Sequence, residues 1–418
     1  MATMKNSEYW EQRLANVVWN SYNTLEEENI ALLDHYDKTM NSIRSELMKL
    51  EELKELTRSE KYRVEHLKSL QNQILKECEK LGENVEKDMI GNVSKQMQDI
   101  HKTAFANISN EKFSQLSKNA CKDIINTPWQ GSSFSQRLWK NTGQLANELN
   151  DILSTGITKG KTIAEMAFQL SGRMNKDMNS CHRLVRTETI NSLNRASMRG
   201  LTDAGVKYVR WWAAEDERTC KTCGANHGKI YPIDKAPNLP CHPGCRCTWL
   251  PVFGDEITKE DIQHIYDLSD DEMYAVNQYV SSESYKINDI FRREMLLSGS
   301  MKQMSKNLDK ALNKLDSYEG DVTRSLSIDD PGILKSFLQV HKVGNTVTYP
   351  EYISTTSGGI YNKKGNIQLY ILNSKNGKDL TLINKSEKEV LYKRNSSFKV
   401  VAKEEKKGKV FILLEELD

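Results

Sequence analysis

The first 127 residues of this 418-residue chain contain no proline, and the first 81 contain no glycine either. That excludes tight turns and sharp helix breaks over most of the N-terminal third. Long uncharged apolar runs are missing throughout, so no segment is suited to spanning a bilayer. The opening residues, MATMKNSEYWEQ, carry charge with no apolar stretch behind it, and no secretory leader is expected. An excess of one charge is absent too. The formal net charge is +2, which argues against a surface built mainly to bind nucleic acid. These absences point to a soluble protein made in a reducing compartment, where eight cysteines suggest metal or chemistry rather than disulfides.

What is present changes character along the chain. Met40, Ile43, Leu47 and Leu50 recur at three-four spacing, as do Leu67, Leu70 and Ile74, with charged and amide residues between them. This predicts long amphipathic helices with one narrow apolar stripe, which need partners to bury it. Helical texture continues from Asn119 to about Gly205, with a turn at Pro128 and Gly131, Ser132 or Ser133 as the next helix cap, and Gly200 as a stop. Five of the eight prolines lie between Pro232 and Pro251, so residues 206–252 read as a small loop-rich unit held by something other than a core. Helices resume to about Leu315, and strand-like runs dominate from Val343. In NIQLYIL, Ile367, Leu369 and Ile371 alternate inward, and VFILL (410–414) reads as a fully buried strand. The expected fold is multidomain: long helices over 1–118, a helical region over 119–205, a zinc-ribbon-like unit over 206–252 and an α+β domain over 257–418.

Five cysteines fall within 28 residues. Cys220-x2-Cys223, an 18-residue spacer and His242-x2-Cys245 give zinc-ribbon-like spacing. Three thiolates and an imidazole make a closed tetrahedral site, structural rather than catalytic because no position is left for water. Cys241 or Cys247 could replace His242 or Cys245, His227 is also at hand, and a reduced metal-free cluster is the plain alternative. Cys78, Cys121 and Cys181 read as small buried side chains.

The stretches WQGSSFSQRLW, RLVRTET, AEDERTCKTCGANHGKIYP and PCHPGCRC together resemble the phage head morphogenesis, or minor capsid, family (Mu F-like), over roughly residues 120–252. The resemblance implies a low-copy virion protein in the phage head, made in the host bacterial cytoplasm. Its partners would be the portal and other capsid proteins, with nucleic acid met only by proximity and no membrane. RTET by itself reads as an ordinary solvated helix face, and Cys241 is an extra cysteine that blurs the ligand set.

Three landmarks stand in the C-terminal region. YEGDVTRSL carries Arg324 on a first strand, YISTTS carries Ser354, Thr355 and Thr356, and SEKEVLY carries Glu387 and Glu389. On a strand, positions i and i+2 share a face, so the two carboxylates would repel and raise each other's pKa. A guanidinium could hold a diphosphate, a hydroxyl could orient a carboxylate, and Glu389 could stabilise positive charge on a ribose as a glycosidic bond breaks. In this order the landmarks resemble the Arg-Ser-Glu class of mono-ADP-ribosyltransferases of the exoenzyme toxin type, over about residues 257–418. The segment 268–288 is similar to that family's leading helices.

The resemblance implies an NAD-dependent transferase. Arg324, Ser354, Thr355 and Thr356 would bind NAD, Glu389 would be catalytic, and Glu387 would prepare an arginine acceptor on a host protein. The turn LINKS lacks the aromatic often used to meet that protein. The combined expectation is a minor capsid protein carrying a transferase. The alternative is a purely structural portal-associated protein whose C-terminal domain is inactive, and a weaker one makes the zinc unit a nucleic-acid contact.

Overall fold

The computed structural model describes residues 6–54, 60–109, 114–159, 161–214, 216, 219–293 and 295–417. The chain divides into two compact units, one ending at Val252 and one beginning at Phe253. The side chain of Leu50 and all of Arg218, from the DERTC motif, lie outside the described residues.

The first unit is mainly helical. Helix Glu60–Ala106 runs for 47 residues, about 70 Å at 1.5 Å per residue. Its buried positions Leu70, Ile74, Cys78, Leu81, Val85, Met89 and Val93 are spaced in steps of three or four residues, so a single stripe is covered. Leu145, Leu149 and Leu153 of helix Phe134–Thr158 pack against it, with Leu170, Met174 and Val185 of helix Ile163–Asp203. Each helix alone would leave its stripe wet, and the stability lies in the packing. Cys78, Cys121 and Cys181 are buried within this core. Ser133 caps its helix through a capping box with Gln136, and Thr162 does the same with Glu165.

Two sequence expectations fail on helix Ile163–Asp203. Gly200 does not stop its helix, which continues to Asp203. The reversal comes at Gly205, where φ is +78° and the amides of Gly205 and Val206 bond back to Thr202 and Leu201. Gly200 instead lets two helices touch, since a Cβ there would lie 2.6 Å from the His101 carbonyl oxygen. Nor is RTET a solvated face. Thr187, Glu188 and Thr189 are buried. The Glu188 carboxylate pairs with Arg137 at 2.5 Å and accepts from Asn191 at 3.1 Å. Arg186 pairs with Glu26 at 3.1 Å. The sequence could not show that partners so remote in the chain would pair these groups.

Residues 208–252 add a three-stranded antiparallel sheet of β1 (Tyr208–Trp212), β2 (Ile230–Pro232) and β3 (Thr248–Val252), in the order β2-β1-β3. Trp249 is almost fully buried, with Trp211 and Tyr231 edge-on at 5.5 and 5.7 Å. This segment therefore has a small aromatic core of its own, contrary to expectation.

In the second unit, helices come before and beside one mixed sheet. Its strands are β4 (Gly320–Leu326), β5 (Thr346–Tyr349), β6 (Ile353–Thr356), β7 (Ile367–Ser374), β8 (Lys378–Asp379), β9 (Glu389–Tyr392), β10 (Ser396–Lys406) and β11 (Lys409–Glu416). They run in the order β5-β10-β11-β7-β4-β6-β9-β8. Ile367, Leu369 and Ile371 point into the core. β11 is not buried throughout: Val410, Ile412 and Leu414 are covered, while Phe411 and Leu413 are half open. One junction in this sheet is sparse. β4 and β6 are registered at a single pair, Thr323 with Thr356, so the two halves of the sheet part there. Among the described residues of the chain, no helix is long and apolar enough to cross a membrane.

Gly200→Ala should lower the unfolding free energy by about 1–3 kcal/mol because the added methyl meets backbone. Gly143→Ala, at a helical site with nothing within 4 Å, should be neutral or gain up to about 1 kcal/mol. Urea titration of the two variants checks the contrast.

Candidate functional site

Where β4 and β6 part, side chains take over from the strand ladder. Arg324, half-buried on β4, donates from Nη1 to the Ser354 carbonyl of β6 at 3.3 Å. Burial lowers its pKa, while nearby tyrosines and Glu351 favour its charge. On the other side of β6, Ser354 pairs with Leu391 of β9. Its hydroxyl donates to Glu389 Oε1 at 2.5 Å. Arg324, Ser354 and Glu389 thus gather on three neighbouring strands from positions far apart in sequence.

Helical neighbours fix the start of β6. Asn288, on helix Ser284–Arg292, donates to the Tyr279 hydroxyl at 3.0 Å and accepts from the Tyr352 amide at 3.2 Å. Tyr352 is fully buried and reaches Asp309 through its hydroxyl at 2.6 Å. The polypeptide entering Ser354 is therefore anchored through both its backbone and its side chain.

Glu387 and Glu389 are not a pair on one strand. β9 begins at Glu389, and Glu387 lies in the preceding turn. Between them Lys388 adopts φ +47°, which breaks the i, i+2 relation that a strand would impose. The carboxylates are joined by Asn384 instead. Its amide nitrogen lies 3.1 Å from Glu387 Oε2 and 2.9 Å from Glu389 Oε2. Burial is the main cause that raises the pKa of Glu389, with Glu387 adding to it, while hydrogen bonds from Ser354 and Asn384 and the charge of Arg324 pull the other way. Burial thus outweighs repulsion between the two carboxylates as the cause of the shift.

Thr355 and Thr356 occupy the same strand but bond elsewhere. Thr355 Oγ1 donates to the Val390 carbonyl at 2.7 Å, and Thr356 Oγ1 to the Glu387 carbonyl at 2.6 Å. Their hydroxyls clamp the main chain around the glutamates rather than facing open space. Tyr361, largely exposed on the loop after β6, donates to Glu387 Oε1 at 3.1 Å. Asn384 and Tyr361 were not singled out from sequence. Asn384 carried a weak signal as a turn residue three positions before Glu387; Tyr361 carried none.

A cleft of about 650 Å³ opens beside this group. Arg324 lines it, with Arg292, Glu351, Tyr349, Phe337 and His341. Ser354, Glu387 and Glu389 do not, so Arg324 is the residue shared by the cleft and the carboxylate group.

The cysteines form a second constellation in the first unit. The donor atoms of Cys223, Cys241, His242 and Cys245 all lie within 4.8 Å of one another. Cys223 Sγ is 3.6 Å from Cys241 Sγ and 3.7 Å from Cys245 Sγ, and Cys241 and Cys245 are 3.8 Å apart. A tetrahedron with metal–sulfur bonds near 2.3 Å has edges of about 3.8 Å, so these separations fit a tetrahedral ion. Cys220 Sγ lies 3.2 Å from His242 Nε2 and is a fifth donor at the rim. The group that meets the tetrahedral test contains Cys241 where sequence spacing had put Cys220. Cys247 is buried beside them, its carbonyl accepting from Asn194. His227 is elsewhere, accepting from the Ala213 amide and packed against Trp212.

Residues 147–250 match the family model described as Phage Mu protein F like protein. Two curated relatives are similar to this chain. One is the NAD(+)--arginine ADP-ribosyltransferase EFV of Enterococcus faecalis, 23% identical over 228 residues, covering 48% of this chain and 46% of that protein. The other is the NAD(+)--protein-arginine ADP-ribosyltransferase Tre1 of Serratia proteamaculans, 26% identical over 172 residues, covering 40% of this chain and 37% of that protein. The chain thus spans less than half the length of either. Among solved structures it is similar to exoenzyme S from Pseudomonas aeruginosa, at 20% identity and a TM-score of 0.31 over 36% of this chain and 74% of that one. The C3 exoenzyme of Clostridium limosum stands at 18% and 0.31, over 37% and 88%.

Because Glu389 is harder to ionise folded than unfolded, the folded state is favoured below the ordinary carboxylate range and loses that advantage as pH rises through the displaced pKa. Urea titrations from pH 4 to pH 8 should therefore show the stability difference between Glu389→Gln and wild type moving in the variant's favour. A difference that stays flat would mean an unshifted carboxylate. Ser354→Ala removes a bond that favours the charged form and should push the Glu389 pKa higher still.

Proposed function

We propose that the C-terminal unit is an NAD-dependent mono-ADP-ribosyltransferase acting on arginine in a host protein, carried by a minor capsid protein of the phage head. The observation that carries this reading is the hydrogen bond from Ser354 to the buried Glu389, with Arg324 on the carbonyl of that same serine. The names of the similar curated proteins support the reaction and the arginine acceptor. The family match over 147–250 supports the capsid role, with portal and other capsid proteins as partners.

In this reading Arg324 holds the diphosphate of NAD at the mouth of the cleft through its planar fork. Ser354 and Asn384 keep Glu389 oriented and charged. Its carboxylate stabilises the positive charge on the ribose as the bond to nicotinamide breaks and neutral nicotinamide leaves. A guanidino nitrogen of the acceptor bonds to the ribose carbon and gives up its proton to Glu387, which Asn384 and Tyr361 hold nearby. Thr355 and Thr356 act through the main chain, by fixing the turn that carries Glu387.

The cysteine cluster is read as a structural zinc site. Cys223, Cys241, His242 and Cys245 hold the ion, and Cys220 stands at its rim beside His242. Four protein donors close the coordination sphere, so the ion supplies folding energy and no reaction step.

Glu389→Gln should lower nicotinamide release from NAD by on the order of 10²- to 10³-fold. Lys388→Gln should stay within about threefold of wild type, as expected for an exposed change away from the bonded groups. Equal rates in the two variants would defeat the transferase reading. Metal analysis of the purified chain should find about one Zn²⁺ per molecule, and Cys223→Ser should abolish it.

A further inference from the structure

Glu351 is 5% exposed, and it faces the cleft that Arg324 shares with the catalytic group. Its Oε1 pairs with Arg292 Nε at 3.3 Å. Its Oε2 is buried and has no hydrogen-bond partner. A carboxylate oxygen shut away from water with no donor is costly, and native structures keep such groups chiefly where a ligand or an ion completes them. The fixed oxygen on Arg292 leaves the other one oriented and waiting for a donor.

The location limits what that donor can be. If the diphosphate lies on Arg324 and the nicotinamide ribose reaches Glu389, the adenosine half of the dinucleotide falls in the cleft, since Ser354 and Glu389 are not part of its lining. Ile333 and Phe337 offer an apolar wall for a base. The donors on that half are the exocyclic amine of the base and the vicinal hydroxyls of its ribose, and the hydroxyls are the ones that distinguish NAD from NADP. Acidic side chains recognise such hydroxyls in other dinucleotide sites and repel a 2′-phosphate placed there.

We propose that Glu351 accepts a hydrogen bond from the adenosine ribose and makes the cleft select NAD against NADP. This rests on the transferase reading above and adds a specificity-determining residue to it. Glu351 takes no part in breaking the glycosidic bond. It discriminates by charge, because a 2′-phosphate would bring a dianion against a buried carboxylate whose one direct ion-pair contact among the described residues is Arg292.

The test is calorimetric titration of the full chain carrying Glu389→Gln, so that NAD is bound without being consumed. That protein should bind NAD at least about tenfold more tightly than NADP, a gap expected of one unscreened like-charge contact. Adding Glu351→Gln should shrink the ratio to about threefold or less, mostly by tightening NADP, since the amide still accepts a hydroxyl but carries no charge. Thermal unfolding of both proteins checks that the second change leaves the fold intact, and Glu351→Asp, which keeps the charge, should keep the preference. Similar affinity for NAD and NADP before Glu351 is touched would overturn the inference, whether or not the variant folds. So would a ratio that Glu351→Gln leaves unchanged. NAD that binds with either of these results leaves the transferase reading standing, whereas a chain that binds neither dinucleotide defeats both.

Discussion

The candidate site of the second unit depends on one constraint: Glu389 is buried, and hydrogen bonds hold both oxygens of its carboxylate. Burial alone would neutralise it, because a carboxylate taken out of water binds its proton more tightly. Ser354 and Asn384 oppose that by donating to its two oxygens, and Arg324 adds a favourable charge nearby. Without these groups burial would raise its pKa further. The site is therefore a balance between desolvation and hydrogen bonding, and its position on that balance is set by strands rather than by the glutamate.

That balance exists because the sheet is incomplete at its centre. β4 and β6 share only one registered pair, so backbone groups that a full ladder would use are left to side chains. Arg324 crosses to the Ser354 carbonyl and also lines the cleft. An uninterrupted ladder between the two strands would have closed the gap and left the guanidinium without its place. Two threonines then hold the carbonyls of Glu387 and Val390, which keeps the left-handed Lys388 and the buried Glu389 in one arrangement.

In the first unit the comparable constraint is that long, narrow apolar stripes must find one another. The helix Glu60–Ala106 has a single covered face, and Gly200 lets it approach helix Ile163–Asp203, whose buried Glu188 is paired by Arg137. The cysteine cluster adjoins a small aromatic core rather than replacing one. A zinc ion there would reinforce a segment that already has Trp211 and Trp249 packed together.

Patterns that depend on near neighbours were legible from the residues alone. The helical stripes, the Ser133 cap, the alternation of Ile367, Leu369 and Ile371, and the crowding of cysteines all express spacing of a few positions, where geometry is fixed by the backbone. The C-terminal landmarks Arg324, Ser354 and Glu389 could be named, but their convergence could not be derived, since it depends on strand order across the sheet. The left-handed Lys388 undoes the strand period between Glu387 and Glu389, which their spacing alone does not reveal. The burial of RTET is invisible at that range because its partners are remote in the chain. Sequence therefore determined which segments had to be amphipathic and which side chains were chemically able to act. Tertiary structure decided which of them lost their water and which groups replaced it, because desolvation and pairing are properties of neighbours in space.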